Sequence, residues 1–387
     1  MKHFCNPLNV PYHYQFVRNP HTPAVSVYRE AADPSVIFYL GKYWLFPSMN
    51  LSVWVSGDLV HWDSLSLPDD LPLYGYAPDA RVADGMVYLT ACDIGGENCA
   101  FYRTRDILHG PWERIPMPFA YKDPNLFQDD DGRLYLYFGC SARTPLQGVE
   151  LDRNTLQPMG EPVPLISSNA HVRGYERTGE DHSNEPLTDA EAEERMSAEL
   201  SAKGKTRDDL PPGMESILLS QIKHAPYIEG VWMTNHKKQY YLQYAFSGTE
   251  YNVYGDGVFV SDRPLGPFVP AKNNPYSYAP GGFLPGAGHG STVQDVYGNW
   301  WHAATERVSV NHNFERRVGL WRAGFDDDGE LFCNQRYADW PPPVPDGPSD
   351  PWADPEWFPL HLGKAVTASA LSWPRMSNAP LSASSQG

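Results

Sequence analysis

Lys122-Asp123-Pro124-Asn125-Leu126-Phe127 runs into Asp131-Gly132-Arg133-Leu134-Tyr135-Leu136-Tyr137-Phe138-Gly139. An acid before proline, a short apolar run, an Asp-Gly turn and an alternating Leu/Tyr run together read as a β-hairpin. Asp-Gly accepts the positive φ of a tight turn, and the alternation is that of a strand. The same order of parts recurs on both sides. Asp33-Pro34-Ser35-Val36 leads through Phe38-Tyr39-Leu40-Gly41-Lys42 to Tyr43-Trp44-Leu45-Phe46. Ala77-Pro78-Asp79 leads to Asp84-Gly85-Met86-Val87-Tyr88-Leu89. Further on, Tyr227-Ile228-Glu229-Gly230-Val231-Trp232 precedes Tyr240-Tyr241-Leu242-Gln243-Tyr244, and Gly288-His289-Gly290-Ser291 precedes Tyr297-Gly298-Asn299-Trp300-Trp301.

Placed at 33, 79, 123, 229 and 289, the openings are separated first by 46 and 44 residues. That is the length of one four-stranded propeller blade. The reading is an all-β, five-bladed propeller over residues 1–345, with tandem hairpin domains as the competitor. The long step from Asp123 to Glu229 predicts an insertion at about 167–222, between blades three and four. Within it Thr188-Asp189-Ala190-Glu191 has capping-box spacing and Met196 and Leu200 lie four apart, so a short helix is expected. The rest is charged, and it reads equally as a wall of the funnel or as a mobile loop. Residues 346–387 read as a proline-rich linker and polar tail.

Composition narrows the partners. Aromatics make up 13% of the 387 residues, beside 32 glycines and 37 prolines, which suits short strands and many turns. The net charge of −17 speaks against nucleic acid and against an anionic membrane surface. No apolar run is long enough to span a bilayer. Met1-Lys2-His3-Phe4-Cys5-Asn6-Pro7 has no leader-like apolar core, so a cytoplasmic location is expected, with export after signal trimming left open. Cys5, Cys92, Cys99, Cys140 and Cys333 are odd in number and scattered. Cys92 and Cys99 could pair across a hairpin, but free thiols are the expectation.

An aspartate before proline is ordinarily a turn former. Here Asp33, Asp123 and Glu229 each open a repeat, and a propeller points such openings at one axis. Three carboxylates converging there are what glycoside cleavage needs: one acid to protonate a leaving oxygen and one base to activate water. Ile228, Val231 and Trp232 give Glu229 an apolar setting that favours its protonated form.

These blocks resemble glycoside hydrolase family 43 over about residues 5–345. The resemblance implies that Asp33 is the general base, that Glu229 is the general acid, and that Asp123 tunes the pKa and orientation of Glu229. Ala77-Pro78-Asp79 resembles the family's blade-two opening and Gly288-His289-Gly290 its blade-five histidine turn. Asp79, His289, Arg316 and Trp232 are the candidate substrate contacts, with Arg317 competing for the role of Arg316. Trp54, Trp300, Trp301, Tyr76 and Phe283 are further aromatics that could stack on a sugar. The activity implied is inverting hydrolysis of terminal arabinofuranosyl or xylosyl residues on plant-type oligo- or polysaccharides. No cofactor is required, though His289 could hold hydrated calcium. A non-catalytic sugar-binding propeller and a glycosyltransferring or phosphorolytic relative are the alternatives. Gly363-Lys364-Ala365-Val366-Thr367-Ala368-Ser369 is similar to the start of a discoidin-type carbohydrate-binding module.

Overall fold

The computed structural model describes residues 2–353, apart from 19–22, 70, 72–74, 92–98, 282–283, 309–311 and 336–340, together with Ala365. Five four-stranded antiparallel sheets follow one another in chain order, each built from consecutive strands. Blade one consists of Ser35–Tyr39, Lys42–Phe46, Ser52–Ser56 and Asp63–Ser66 from the axis outward. The innermost strands of the other blades are Asp79–Ala83, Asn125–Gln128, Ile228–His236 and Gly286–Gln294. Each innermost strand packs on the next, and that of blade five returns to blade one, so the ring closes.

The apolar side chains sit in the seams between blades. Trp44, Phe46 and Val53 of blade one meet Val87, Leu89 and Tyr102 of blade two in one such cluster. Leu126, Leu134 and Leu136 continue the pattern into blade three, and Tyr137, Leu242 and Phe246 fill the seam to blade four. The closing seam has an extra element. Phe4, Leu8 and Val10 wedge between blades one and five beside Trp54 and Trp301, which are fully buried. Lys2–His3 pairs with Pro343–Val344 in a small two-stranded sheet, and the Leu8 amide donates to the Val318 carbonyl of blade five. Truncating a fully buried leucine such as Leu45 or Leu242 should cost about 2–5 kcal/mol through the lost contacts and the cavity left behind.

Two expectations are refined here and one open choice is narrowed. The proline-rich stretch, read as a linker, lies along blade five: Asn299 donates to the Gly347 carbonyl at 3.1 Å, and Trp352 stacks on Phe332 at 4.2 Å between ring centroids. Cys99 is disulfide-bonded, contrary to the expectation of free thiols; Cys92 lies outside the described residues, while Cys5, Cys140 and Cys333 are free. The insertion is no loose loop. It contains α1 (Asp189–Ala202), opened by the expected Thr188–Glu191 capping box, and α2 (Met214–Ile222). Before α1, the fully buried Glu176 accepts from Tyr244 Oη at 2.6 Å and from Arg173 Nε at 2.7 Å. Asn252, in a loop of blade four, and Tyr278, in the connection from blade four to blade five, hold Asp181 and His182. A buried carboxylate hydrogen-bonded on both oxygens in this way fixes a segment in one place. The Gly363–Ser369 stretch that is similar to a carbohydrate-binding module lies outside the described residues, save Ala365.

Candidate active site

The strand openings carry an unusual backbone. Asp33, Ala77, Asp123 and His289 all have φ near +50°, and Gly230 has φ 63°. Such values are uncommon away from glycine and concentrate where a site demands them. In blades one, two and three this residue directly precedes a proline, and the innermost strand begins at the residue after that proline. Each chain thus makes the same sharp entry at the axis.

That register revises one expectation. The blade-two counterpart of Asp33 and Asp123 is Ala77, so Asp79 aligns with Ser35 and Asn125. These three hold the seams together: Asn125 Nδ2 donates to Asp79 Oδ1 at 3.0 Å, the Leu126 amide to Oδ2 at 2.7 Å, and Ser35 Oγ reaches Oδ1 at 3.4 Å. Both oxygens of Asp79 are engaged between blades, and it is buried. Ala77 acts through its amide, which donates to Ser48 Oγ at 2.6 Å; the Ser48 hydroxyl then donates to Asp33 Oδ2, also at 2.6 Å.

Asp33 is surrounded by donors and positive charge. Its own amide donates to Thr305 Oγ1 at 2.8 Å, and that hydroxyl faces Oδ1 at 3.4 Å. Arg316 Nη1 lies 3.6 Å and His289 Nδ1 3.4 Å from Oδ1. Burial pushes the Asp33 carboxyl above the usual range, against the pull of His289 and the two hydroxyls. Arg316 is itself pinned by a close ion pair with the buried Glu30. Burial pulls its guanidinium down to about 9, which leaves it cationic at neutral pH. Strand alternation settles the competition with Arg317: as the next residue, it points to the opposite face, where Glu315 and the Arg29 carbonyl hold it over Tyr12.

Glu229 and Asp123 form the other side. Tyr254 Oη donates to Glu229 Oε1 at 2.7 Å, and the Cys140 thiol donates to Oε2 at 3.1 Å. Ligand atoms of Asp123, Cys140 and Glu229 all lie within 4.8 Å of one another. Burial pushes Asp123 up to about 7; the charges of Glu229 and Asp33 add to this, while His289 and the thiol oppose it. The thiol is driven far up, first by burial and then by the two carboxylates, so it stays protonated and remains a donor.

His289 sits between the two sides, its Nδ1 also 4.0 Å from Asp123. Burial lowers its basicity, but the surrounding carboxylates outweigh burial and raise it overall. Asp256, fully buried, accepts from the amides of His289 and Gly290 at 2.7 and 3.0 Å and so holds the turn. Beneath the ring, a Cβ at Gly230 would lie 2.7 Å from the imidazole, so only glycine fits after Glu229.

Trp232 does not line the site. It is 3% exposed, its indole N–H donates to the Thr292 carbonyl, and Arg81 covers its ring at 3.4 Å. Trp54 and Trp301 are core residues as well, and Phe283 lies outside the described residues. Tyr76 is 39% exposed with the Arg316 guanidinium 5.9 Å from its ring, which makes it the aromatic of that set nearest the acids' surroundings. Ser48, Cys140, Tyr254, Asp256 and Thr305 were not singled out by sequence reasoning. All are common residue types outside the block openings, and only the fold brings them in.

Calcium wants six to eight oxygen ligands. Among the described residues the one cluster able to hold a metal is Asp123, Cys140 and Glu229, and a thiol suits a softer ion. No step below passes through a metal.

The model of glycosyl hydrolases family 43 matches residues 25–331. Xylosidase/arabinosidase 43A of Humicola insolens is 28% identical over 78% of this chain and 95% of its own length. A thermostable family-43 glycoside hydrolase superposes with a TM-score of 0.61 at 19% identity, covering 91% of this chain and all of that one. A family-43 protein from Bacillus licheniformis gives 0.59 at 20% identity, over 88% of this chain and 61% of its own.

Proposed function

On the premise that the chain belongs to glycosyl hydrolases family 43 and is a glycoside hydrolase, we propose that it removes terminal xylosyl or arabinofuranosyl units by single-displacement, inverting hydrolysis. Glu229 gives its proton to the glycosidic oxygen as the bond from that oxygen to the anomeric carbon breaks. Asp33 takes a proton from the water that bonds to the same carbon from the opposite face. The product sugar leaves with inverted configuration; Asp33 ends protonated and Glu229 ionised, and exchange with solvent resets both. Asp123 resists a second negative charge beside Glu229, which favours keeping a proton at that pair. His289 and Arg316 stabilise the ionised base.

The observation that carries this reading is the contrast in surroundings. Asp33 has two hydroxyls and two basic side chains about it, whereas Glu229 has a phenol, a thiol and a second carboxylate. Paired carboxylates in contrasting environments are the mark of divided acid and base roles. A purely sugar-binding propeller has no use for that division. Arg316 and Arg317, the two cations considered for phosphate in a phosphorolytic relative, are each held by a glutamate.

The names of the relatives support the choice of pentose. We further propose that catalysis needs no cofactor, that the protein acts in the cytoplasm, and that the Gly363–Ser369 stretch belongs to a sugar-binding module. Hydrolysis of a xylobiose or arabinosyl substrate followed by NMR should show the inverted anomer first. A retained anomer overturns the mechanism, and no turnover on any pentoside overturns the substrate.

A further inference from the structure

The insertion encloses a cavity of about 440 Å³ with blade four, within the range of about 300–1,000 Å³ typical of small-molecule sites. One wall is insertion, with Asn184 and Gln221 on it; another is blade four, with Tyr227, Glu250 and Tyr251; Arg143 closes a third side. Its position relative to Glu229 follows from two strands. Ser141 and Ile228 exchange backbone hydrogen bonds at 3.2 Å, so the segment from Cys140 to Arg143 runs beside Tyr227–Glu229. Cys140 touches Glu229 at one end of that segment, and Arg143 reaches the cavity at the other. Glu250 lies close enough to Glu229 for its charge to help raise the Glu250 carboxyl, although burial is the larger cause. The cavity therefore adjoins the carboxyl that would protonate a leaving group.

Resting on the hydrolytic reading above, we propose that this cavity is a leaving-group subsite that binds further neutral sugar units of an oligosaccharide. An acid must stand over the departing oxygen, so whatever is attached to that oxygen extends past Glu229. The lining suits sugars. Tyr227 is 52% exposed and offers a ring face with a hydroxyl at its tip. Asn184 and Gln221 supply amides that donate and accept. Arg143 donates to Ser216 Oγ at 3.1 Å and, among the described residues, has no carboxylate partner, so most of its five N–H groups are available to sugar hydroxyls. Arg143 and Glu250 give the cavity one group of each sign, which favours a neutral chain over a charged one. The buried Glu176, with His182 and Asp181 bonded nearer the surface, holds the insertion wall in place, and rigidity lowers the ordering cost of binding.

The test compares an aryl pentoside with linear pentose oligosaccharides of two, three and four units, in the wild type and in Tyr227→Ala and Arg143→Ala. Wild-type kcat/KM should rise with chain length by about tenfold, roughly 1.4 kcal/mol. In each variant the ratio of oligosaccharide to aryl-pentoside kcat/KM should fall several-fold. Equal loss on every substrate, or an unchanged ratio in both variants, overturns the subsite. Calorimetric titration of Glu229→Gln with the same oligosaccharides reads the cavity without turnover. There affinity should grow with chain length and drop on adding Tyr227→Ala; affinity independent of length overturns the proposal. A wild type that binds by length but cleaves no glycoside instead overturns the hydrolytic reading.

Discussion

The blade one and five side of the funnel and the blade three and four side carry the same chemical group in opposite settings. Around Asp33 stand Ser48, Thr305, His289 and the Glu30-pinned Arg316. Around Glu229 stand Tyr254, Cys140 and Asp123. Cations and hydroxyls stabilise a carboxylate, whereas a second carboxylate in a buried place penalises charge. The difference teaches that the acid and base roles are set by neighbours from other blades, not by the motif around each acid. Asp33 and Asp123 have the same Asp-Pro opening and nearly the same backbone, φ 52° and 49°, yet lie on opposite sides of this divide.

The largest effect should come from breaking each side at its acid. Asp33→Asn and Glu229→Gln should each lower turnover of an ordinary aryl glycoside by about 10²-fold or more. A dinitrophenyl leaving group needs no proton, so it should restore most of the activity of Glu229→Gln and none of that of Asp33→Asn. Restoration in both, or in neither, erases the division between the two sides.

How much of this could be read from the chain depends on the range of the signal. The blade period, the three acids and the capped α1 are local patterns, so they are legible as residues in order. Asp79 shows the limit. It was placed by its likeness to the other openings, but the backbone register puts Ala77 there instead, a two-residue offset that the aligned prolines Pro34, Pro78 and Pro124 mark and the φ values establish. Trp232 shows another: an aromatic beside a catalytic position can face either way across a strand, and this one faces the core under Arg81. The neighbours that tell base from acid come from distant segments, with Thr305 272 residues from Asp33 and Cys140 89 residues from Glu229. No pattern local to either acid encodes them.

Asp123 offers the next test, through pH. Its carboxyl is held at about 7 in the fold, above its ordinary 3.8. A folded state that binds a proton more tightly than the unfolded chain is favoured fully below about pH 4, and loses that advantage as pH rises through about 7. Asp123→Asn cannot titrate, so its melting temperature should exceed that of the wild type by more at pH 8 than at pH 4, with a difference of about 2 °C or more. Identical melting differences at both pH values would mean that Asp123 carries no excess proton in the fold.

The smallest effect belongs to Cys140. When Glu229 gives up its proton, the new carboxylate is stabilised by the phenol of Tyr254 on one oxygen and by this thiol on the other. A thiol is a weak donor, so its removal should cost little beside loss of the acid itself. Cys140→Ala should lower kcat about fivefold on a substrate with a poor leaving group, with KM nearly constant. Cys140→Ser, which keeps a donor, should recover most of the loss. The decisive comparison is again the leaving group: with dinitrophenyl glycosides the alanine variant should approach the wild type, because no proton need be transferred. A uniform loss on both substrates would make Cys140 a packing residue of the blade three and four seam. The acid side of the funnel would then rest on Tyr254 and Asp123 alone.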